Sequence, residues 1–225
     1  MRLAVVIAFL IVSPRVHADE DYSPTNRVYV EMSGFGGRSG FGYSGDDLPP
    51  GIGGIVGTTG AELALANGAT LGFEIAPFTW VSAMTRPSLS ARFAVGYARK
   101  KIAIALEAGS TLTWLYPQLG PSLRIGALDA TYARLRVSWA IYPAVPVPVD
   151  FDFELSTPVT ARLRAGVNLG AVYGNTVGAF ATAGLAFLPN GSRSLRGGAF
   201  TVGVGVGWIQ WALGPMVTVG YERRL

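Results

Sequence analysis

Hydrophobic residues alternate with polar or small ones along most of the chain. A period of two is the spacing of a β-strand whose faces meet different surroundings. From 132 to 141, Ala133, Leu135, Val137, Trp139 and Ile141 share one face, and Arg134, Arg136, Ser138 and Ala140 the other. Over 161–169, Leu163, Ala165, Val167 and Leu169 oppose Arg162, Arg164, Gly166 and Asn168. Phe200, Val202, Val204, Val206 and Trp208 alternate with Thr201 and three glycines. Past the N-terminal run no segment shows a 3.6-residue period, so the pattern predicts an all-β protein. It places strands at 28–36, 60–66, 69–80, 88–98, 101–113, 122–128, 131–142, 150–156, 161–173, 176–188, 198–209 and 215–224. Twelve strands result, or ten if 150–156 and the break at Trp211–Pro215 are not counted.

Turn chemistry separates these runs. Asn67-Gly68 is a strong short hairpin signal, because both residues tolerate the left-handed backbone such turns need. Arg99-Lys100-Lys101, Leu128-Asp129-Ala130 and Gly174-Asn175 mark further tight reversals. Longer Gly- and Pro-rich connections are expected at 38–59, 82–87, 116–121, 143–148 and 189–197. No linker divides the chain.

The composition of the two faces sets the surroundings. A soluble β-protein turns its apolar face inward and shows Lys, Glu, Thr and Ser to water. Here the second face is mostly Gly, Ala, Ser and Thr with isolated charges, too small and too weakly polar for that role. The inverse arrangement fits: large apolar residues toward lipid, small and polar ones toward a lumen, in a sheet closed so that every backbone group is paired. Trp80, Tyr97, Trp114, Tyr116, Trp139, Tyr142, Tyr173, Trp208, Trp211 and Tyr221 fall near expected strand ends, where interfacial aromatic girdles belong. The expected fold is a closed, antiparallel, up-and-down transmembrane β-barrel. A soluble periplasmic β-barrel binding an apolar ligand is the alternative.

In this pattern the chain resembles the small outer-membrane β-barrel proteins of Gram-negative bacteria, a porin-like general class. The resemblance covers residues 19–225 and extends to the C-terminus. There Val217, Val219 and Tyr221 fit the alternating assembly signal, Leu225 stands where a terminal aromatic is usual, and Arg223 departs from it. It implies an outer-membrane location, periplasmic termini, contact with lipid and lipopolysaccharide, and handling by the barrel-assembly machinery. It also makes 38–59 the first and longest outer loop.

The N-terminus and composition agree with export. Met1-Arg2, the ten apolar residues Leu3–Val12 and small residues at Val16 and Ala18 read as a signal peptide over 1–18, leaving a barrel domain at 19–225. With half its 225 residues hydrophobic, 14% charged and a mean hydropathy of +0.37, the chain is apolar for a soluble protein. Yet no apolar run reaches the roughly 18–20 residues of a membrane-spanning helix. Loss of Arg2 and Arg15 lowers the formal charge from +4 to +2 and leaves no long basic run, so nucleic acid is not an expected partner. With no cysteine, disulfides, thiol nucleophiles and lipoprotein anchoring are excluded.

Chemistry concentrates on the inward face. Its acids are Glu31, Glu62, Glu74, Glu107, Asp152 and Glu154; its bases are Arg92, Arg124, Arg134, Arg136, Arg162 and Arg164. Asp152 and Glu154, on a strand between two arginine-bearing ones, suggest a cross-strand ladder of Arg–carboxylate pairs. Acids on the first three strands and arginines on the sixth, seventh and ninth suggest opposed walls that orient solutes, with any surplus arginine favouring anions. A twelve-strand lumen lies between the side-chain-filled and water-filled cases, so both a narrow passive channel for small polar or anionic solutes and a sealed structural or interaction barrel are expected readings. Catalysis is not expected. The single histidine, His17, lies in the signal peptide, and no nucleophile elbow or dinucleotide fingerprint is present. Asp150, Asp152 and Glu154 have oxygen ligands for Ca²⁺, but pairing with arginine is the preferred reading, and no metal or cofactor is assigned.

Overall fold

The computed structural model describes residues 26–39, 52–65, 67–81, 86–99, 101–111, 116–127, 130–141, 149–173, 178–189, 197–209 and 212–224. The expected signal peptide, the Gly174-Asn175 reversal, Trp114, Tyr142 and Trp211 lie outside the described residues. Twelve strands run in chain order: β1 Arg27–Ser39, β2 Ile52–Ala64, β3 Ala69–Val81, β4 Arg86–Arg99, β5 Ile102–Thr111 and β6 Tyr116–Gly126. They continue as β7 Tyr132–Ala140, β8 Val149–Thr160, β9 Leu163–Tyr173, β10 Gly178–Phe187, β11 Gly197–Ile209 and β12 Ala212–Arg224. Each pairs antiparallel with its chain neighbours, and β1 pairs with β12 from Arg27↔Arg224 to Ser39↔Ala212, which closes the barrel.

The two faces separate as the alternation demands. Large apolar side chains point outward over the whole circumference, among them Met32, Phe93, Ile104, Leu135, Phe151, Leu169, Leu185 and Val219. Val204 is the extreme at 64% exposed. A surface this apolar is unstable in water and matches a lipid belt. Cross-strand aromatic pairs reinforce it, with ring centroids 4.9 Å apart for both Phe73–Phe93 and Phe200–Tyr221. Five of the expected girdle residues, Tyr97, Trp139, Tyr173, Trp208 and Tyr221, project outward close to strand ends.

Tight turns join β2 to β3, β4 to β5 and β8 to β9. At the first, Gly68 adopts φ +87° and donates its N–H to the Leu65 carbonyl at 2.9 Å, while Asn67 Oδ1 accepts the Ala69 N–H at 3.0 Å. A Cβ at position 68 would meet the Ala98 carbonyl at 2.8 Å, so conformation and space both require glycine.

Several boundaries differ from those expected. β2 begins at Ile52 rather than 60, because its Gly- and Thr-rich first half pairs fully with β1 from Gly37↔Ile52 onward. The first connection is therefore 40–51 instead of 38–59. Residues 116–121, expected as a loop, form the first half of β6, and β12 starts at Ala212, so Pro121 and Pro215 lie inside strands. Proline has no N–H for the ladder, and the barrel absorbs this one-sidedly. Pro121 keeps its pairing with β5, while pairing with β7 lapses between Leu119↔Trp139 and Ser122↔Arg136. Pro215 pairs with Val206, while the β1 side lapses between Phe35↔Met216 and Arg38↔Leu213. Pro77 pairs with Leu89, while the β2 side lapses between Val56↔Phe78 and Thr59↔Ile75. β8 runs on to Thr160 through a register shift between Pro158 and Thr160.

Candidate functional site: the charged lumen wall

Strand alternation that sends Leu and Val outward sends the intervening charges inward. Glu31 lies on β1, Glu62 on β2, Glu74 on β3, Arg92 on β4, Glu107 on β5 and Arg124 on β6. Arg134 and Arg136 lie on β7, Asp152 and Glu154 on β8, and Arg164 on β9. Arg162 is the exception. β9 begins at Leu163, and Arg162 sits exposed in the β8–β9 turn, because the bulge after Pro158 carries the chain around before that residue is reached.

The ion pairs run between distant strands. Arg136, 9% exposed, is the hub. Its Nε lies 2.9 Å from Glu107 on β5, one terminal nitrogen lies 3.3 Å from Asp152 on β8, and the other lies 3.7 Å from Glu74 on β3. Glu107, only 2% exposed, also meets Arg134 at 3.4 Å and Arg92 at 3.9 Å. Arg92 reaches Glu74 at 3.8 Å. Toward the strand ends that carry the termini, Glu62 joins Arg27 at 3.0 Å and Arg124 at 3.5 Å, and Arg27 lies 3.8 Å from Glu222. Phenols fasten the margins: Tyr29 donates to Glu74 at 2.7 Å and Tyr132 to Glu154 at 2.5 Å. A buried carboxylate shared among several guanidinium groups is held by charge-assisted bonds that exchange with water would weaken. The cavity among these side chains measures about 60 Å³ and is bounded by Glu62, Glu74, Glu107, Arg92, Arg124 and Arg136.

The three-strand ladder expected across β7, β8 and β9 does not form. The register does set Arg134 opposite Glu154 and Arg136 opposite Asp152. Of these, Arg136–Asp152 is an ion pair, while Arg134 turns to Glu107 on the other side and Glu154 accepts from Tyr132. Arg164, 3% exposed, bonds Ser156 at 3.2 Å and the Ala130 carbonyl at 2.5 Å, and stacks over the Tyr132 ring. Asp150 accepts from Gln118 at 2.7 Å. Asp150, Asp152 and Glu154 thus have three different partners, and no group of three acids among the described residues is disposed to hold a metal ion.

Sequence reasoning missed Arg27 and Glu222. Both continue the inward parity of their strands, Arg27-Tyr29-Glu31 and Thr218-Gly220-Glu222, by one step past the expected boundaries or inward set. With Asp150 they bring the described inward acids to eight: Glu31, Glu62, Glu74, Glu107, Asp150, Asp152, Glu154 and Glu222. Six inward arginines have described side chains, Arg27, Arg92, Arg124, Arg134, Arg136 and Arg164, while Arg86 on β4 and Arg224 on β12 hold strand positions of the same inward parity. Each of the six has a carboxylate or hydrogen-bond partner. Glu31, Asp150 and Glu154 have none of the described arginines within ion-pair distance; Glu31 is contacted by Ser33 at 3.4 Å. Inward positions of the described strands thus carry eight acids and eight arginines, so neither sign is in surplus, and the described groups left outside ion-pair distance are acids.

The remaining wall differs. Inward positions of β9–β12 include Gly166, Asn168, Gly170, Thr182, Gly184, Thr201, Gly203, Gly205, Gly207, Thr218 and Gly220. Ser33 on β1 bonds Thr218 at 3.0 Å and continues this neutral surface.

No protein-family model and no curated protein matches the sequence. Solved structures do match the fold. The KdgM porin aligns over 88% of this chain and 98% of its own, with a TM-score of 0.51 and 13% identity. The same porin in complex with disordered oligogalacturonate aligns over the same shares, at 0.50 and 14%. The translocator domain of the autotransporter NalP from Neisseria meningitidis aligns over 99% of this chain and 96% of its own, at 0.53 and 12%. These likenesses are of the fold: the chain has the architecture of outer-membrane porin-like barrels.

Proposed function

We propose that the protein resides in the bacterial outer membrane and acts as a narrow passive channel for small hydrophilic solutes, passing cations in preference to anions. The observation that carries this reading is a polar, charge-bearing lumen enclosed by an uninterrupted apolar belt. A barrel that served only as a packed structural element has no need of a glycine- and threonine-lined wall facing a charged one. Glu31, Asp150 and Glu154 lie outside ion-pair distance of the described arginines, whereas the six arginines with described side chains all have partners, and acids exposed to a path select cations. One similar fold was solved with oligogalacturonate, a polyanion. That ligand class does not suit a lumen whose described groups without an ion-pair partner are acids.

On this reading the belt is solvated by outer-membrane lipid and lipopolysaccharide, both termini are periplasmic, and the barrel-assembly machinery inserts the chain. No reaction is assigned to it. The test is single-channel recording of refolded protein in a planar bilayer under a KCl gradient, with heat-modifiable gel mobility confirming the fold. Discrete openings with a cation-selective reversal potential are expected, and Glu31→Gln should reduce that selectivity. Silence from a folded sample would remove the channel reading. Anion selectivity would show that the unpaired acids do not face the conducting path.

A further inference from the structure

We infer that Arg136, together with the Arg124–Glu62 pair, is a brace that draws opposite walls together and sets the bore of the lumen, and with it the size of solute that passes. The inference rests on the channel reading above and names the specificity-determining residues of that path.

Strand separation limits which side chains can meet. Arg136 on β7 meets Glu74 on β3, and Arg124 on β6 meets Glu62 on β2, so each bridge joins strands four places apart in a ring of twelve. A round barrel of that size, with strands spaced ~4.8 Å and tilted about 40°, is roughly 24 Å across and holds strands four apart at roughly 21 Å. Arginine and glutamate stretched toward each other at these contact distances span only about 15 Å between Cα atoms, being short chains of ~1.5 Å bonds. Both bridges exist only if the cross-section is flattened on this side. A cavity of about 60 Å³ lies among the bridging side chains.

Chemistry singles out arginine as the brace. Three nitrogens of one guanidinium lie 2.9–3.7 Å from carboxylates of β3, β5 and β8, with a hydrogen bond to Asp152 and electrostatic contacts to Glu74 and Glu107, a spread of charge that a lysine point charge cannot reproduce. Arg136 and Glu107 are buried, so little water competes for their contact, while Asp152 stands at the more exposed margin.

The experiment compares the full-length refolded barrel with Arg136→Ala and Arg136→Lys by single-channel conductance and by liposome swelling in sugars of increasing size. Arg136→Ala should raise conductance about twofold or more and admit larger sugars, with Arg136→Lys in between, because conduction follows the open cross-section. A silent parent with a conducting Arg136→Ala would overturn the passive-channel reading while upholding the brace. A folded Arg136→Ala that behaves as the parent does, conducting or silent, would overturn the brace. Should Arg136→Ala not fold, the chain's lack of cysteine offers a second route. Glu62→Cys combined with Arg124→Cys is challenged with a rigid bis-maleimide long enough for the braced spacing and too short for the round one. Rapid cross-linking of the folded barrel supports the drawn-in walls, and its absence overturns them.

Discussion

The lumen has two walls that handle the same problem in opposite ways. Along β1–β8 the inward positions carry long charged side chains that neutralise one another across space, as Arg136 does with Glu74, Glu107 and Asp152. Along β9–β12 they carry mostly glycine, threonine and asparagine, with the Phe180 ring laid over Gly170, Arg164 near the start of β9 and Glu222 near the end of β12. The outer faces of the two halves do not differ: Leu135 and Phe151 on one, Val204 and Leu169 on the other, all meet lipid. Strand parity separates inside from outside, whereas side-chain charge separates a wall of ion pairs from a largely neutral one.

The largest expected effect tests the charged wall. Glu107→Ala leaves Arg134 without its carboxylate and takes one partner each from Arg136 and Arg92, and should cost about 3–5 kcal/mol, the range for removing one partner of a buried pair. Urea titration of folding into lipid, followed by tryptophan fluorescence, measures it. A loss below about 1 kcal/mol would mean that the hub is hydrated and its pairing dispensable.

Next comes the shared outer face. Leu135→Arg and Val204→Arg should each cost about 2–4 kcal/mol near the bilayer midplane, and about equally, since lipid treats both halves alike. If either variant folds as stably as the parent, the inside-out assignment of that half is wrong.

A smaller effect probes the neutral wall. A Cβ at Gly184 would lie 2.7 Å from the Val202 carbonyl, so Gly184→Ala should cost about 1–3 kcal/mol through overpacking against backbone. At Gly203 the nearest atom would be the Ala183 carbonyl at 3.4 Å, and Gly203→Ala should stay within about 0.5 kcal/mol. Equal losses at both positions would show that glycine is needed there for backbone reasons instead of space. The smallest effect is on ionic strength. The buried charge cluster should lose little stability between low and physiological salt, because buried pairs are screened far less than exposed ones. A steep salt dependence would place water among the pairs.

Much of this was legible along the chain. Twelve strands, their parity and the apolar belt follow from alternation in runs such as 132–141, where every second residue is large and apolar. The strands that eluded the pattern are those it describes poorly. The first half of β2 is glycine and threonine, and β6 and β12 contain prolines that mark loops in soluble proteins. A closed ladder tolerates them because a proline inside a strand loses pairing on one side only, as Pro121 does.

Inward parity likewise identified eleven of the twelve charged candidates, all but Arg162, from local sequence, because facing is set by a residue's own strand. Their partners could not be read that way. Arg134 stands directly opposite Glu154 yet pairs with Glu107, and Arg136 reaches a strand four places away. Such choices depend on how far the walls approach one another, which is set by closure of β1 on β12 and by the summed tilt of all twelve strands. Local alternation determines which side chains enter the lumen. Which charges meet there is a property of the closed ring, since the distances that decide it exist only after the last strand has paired with the first.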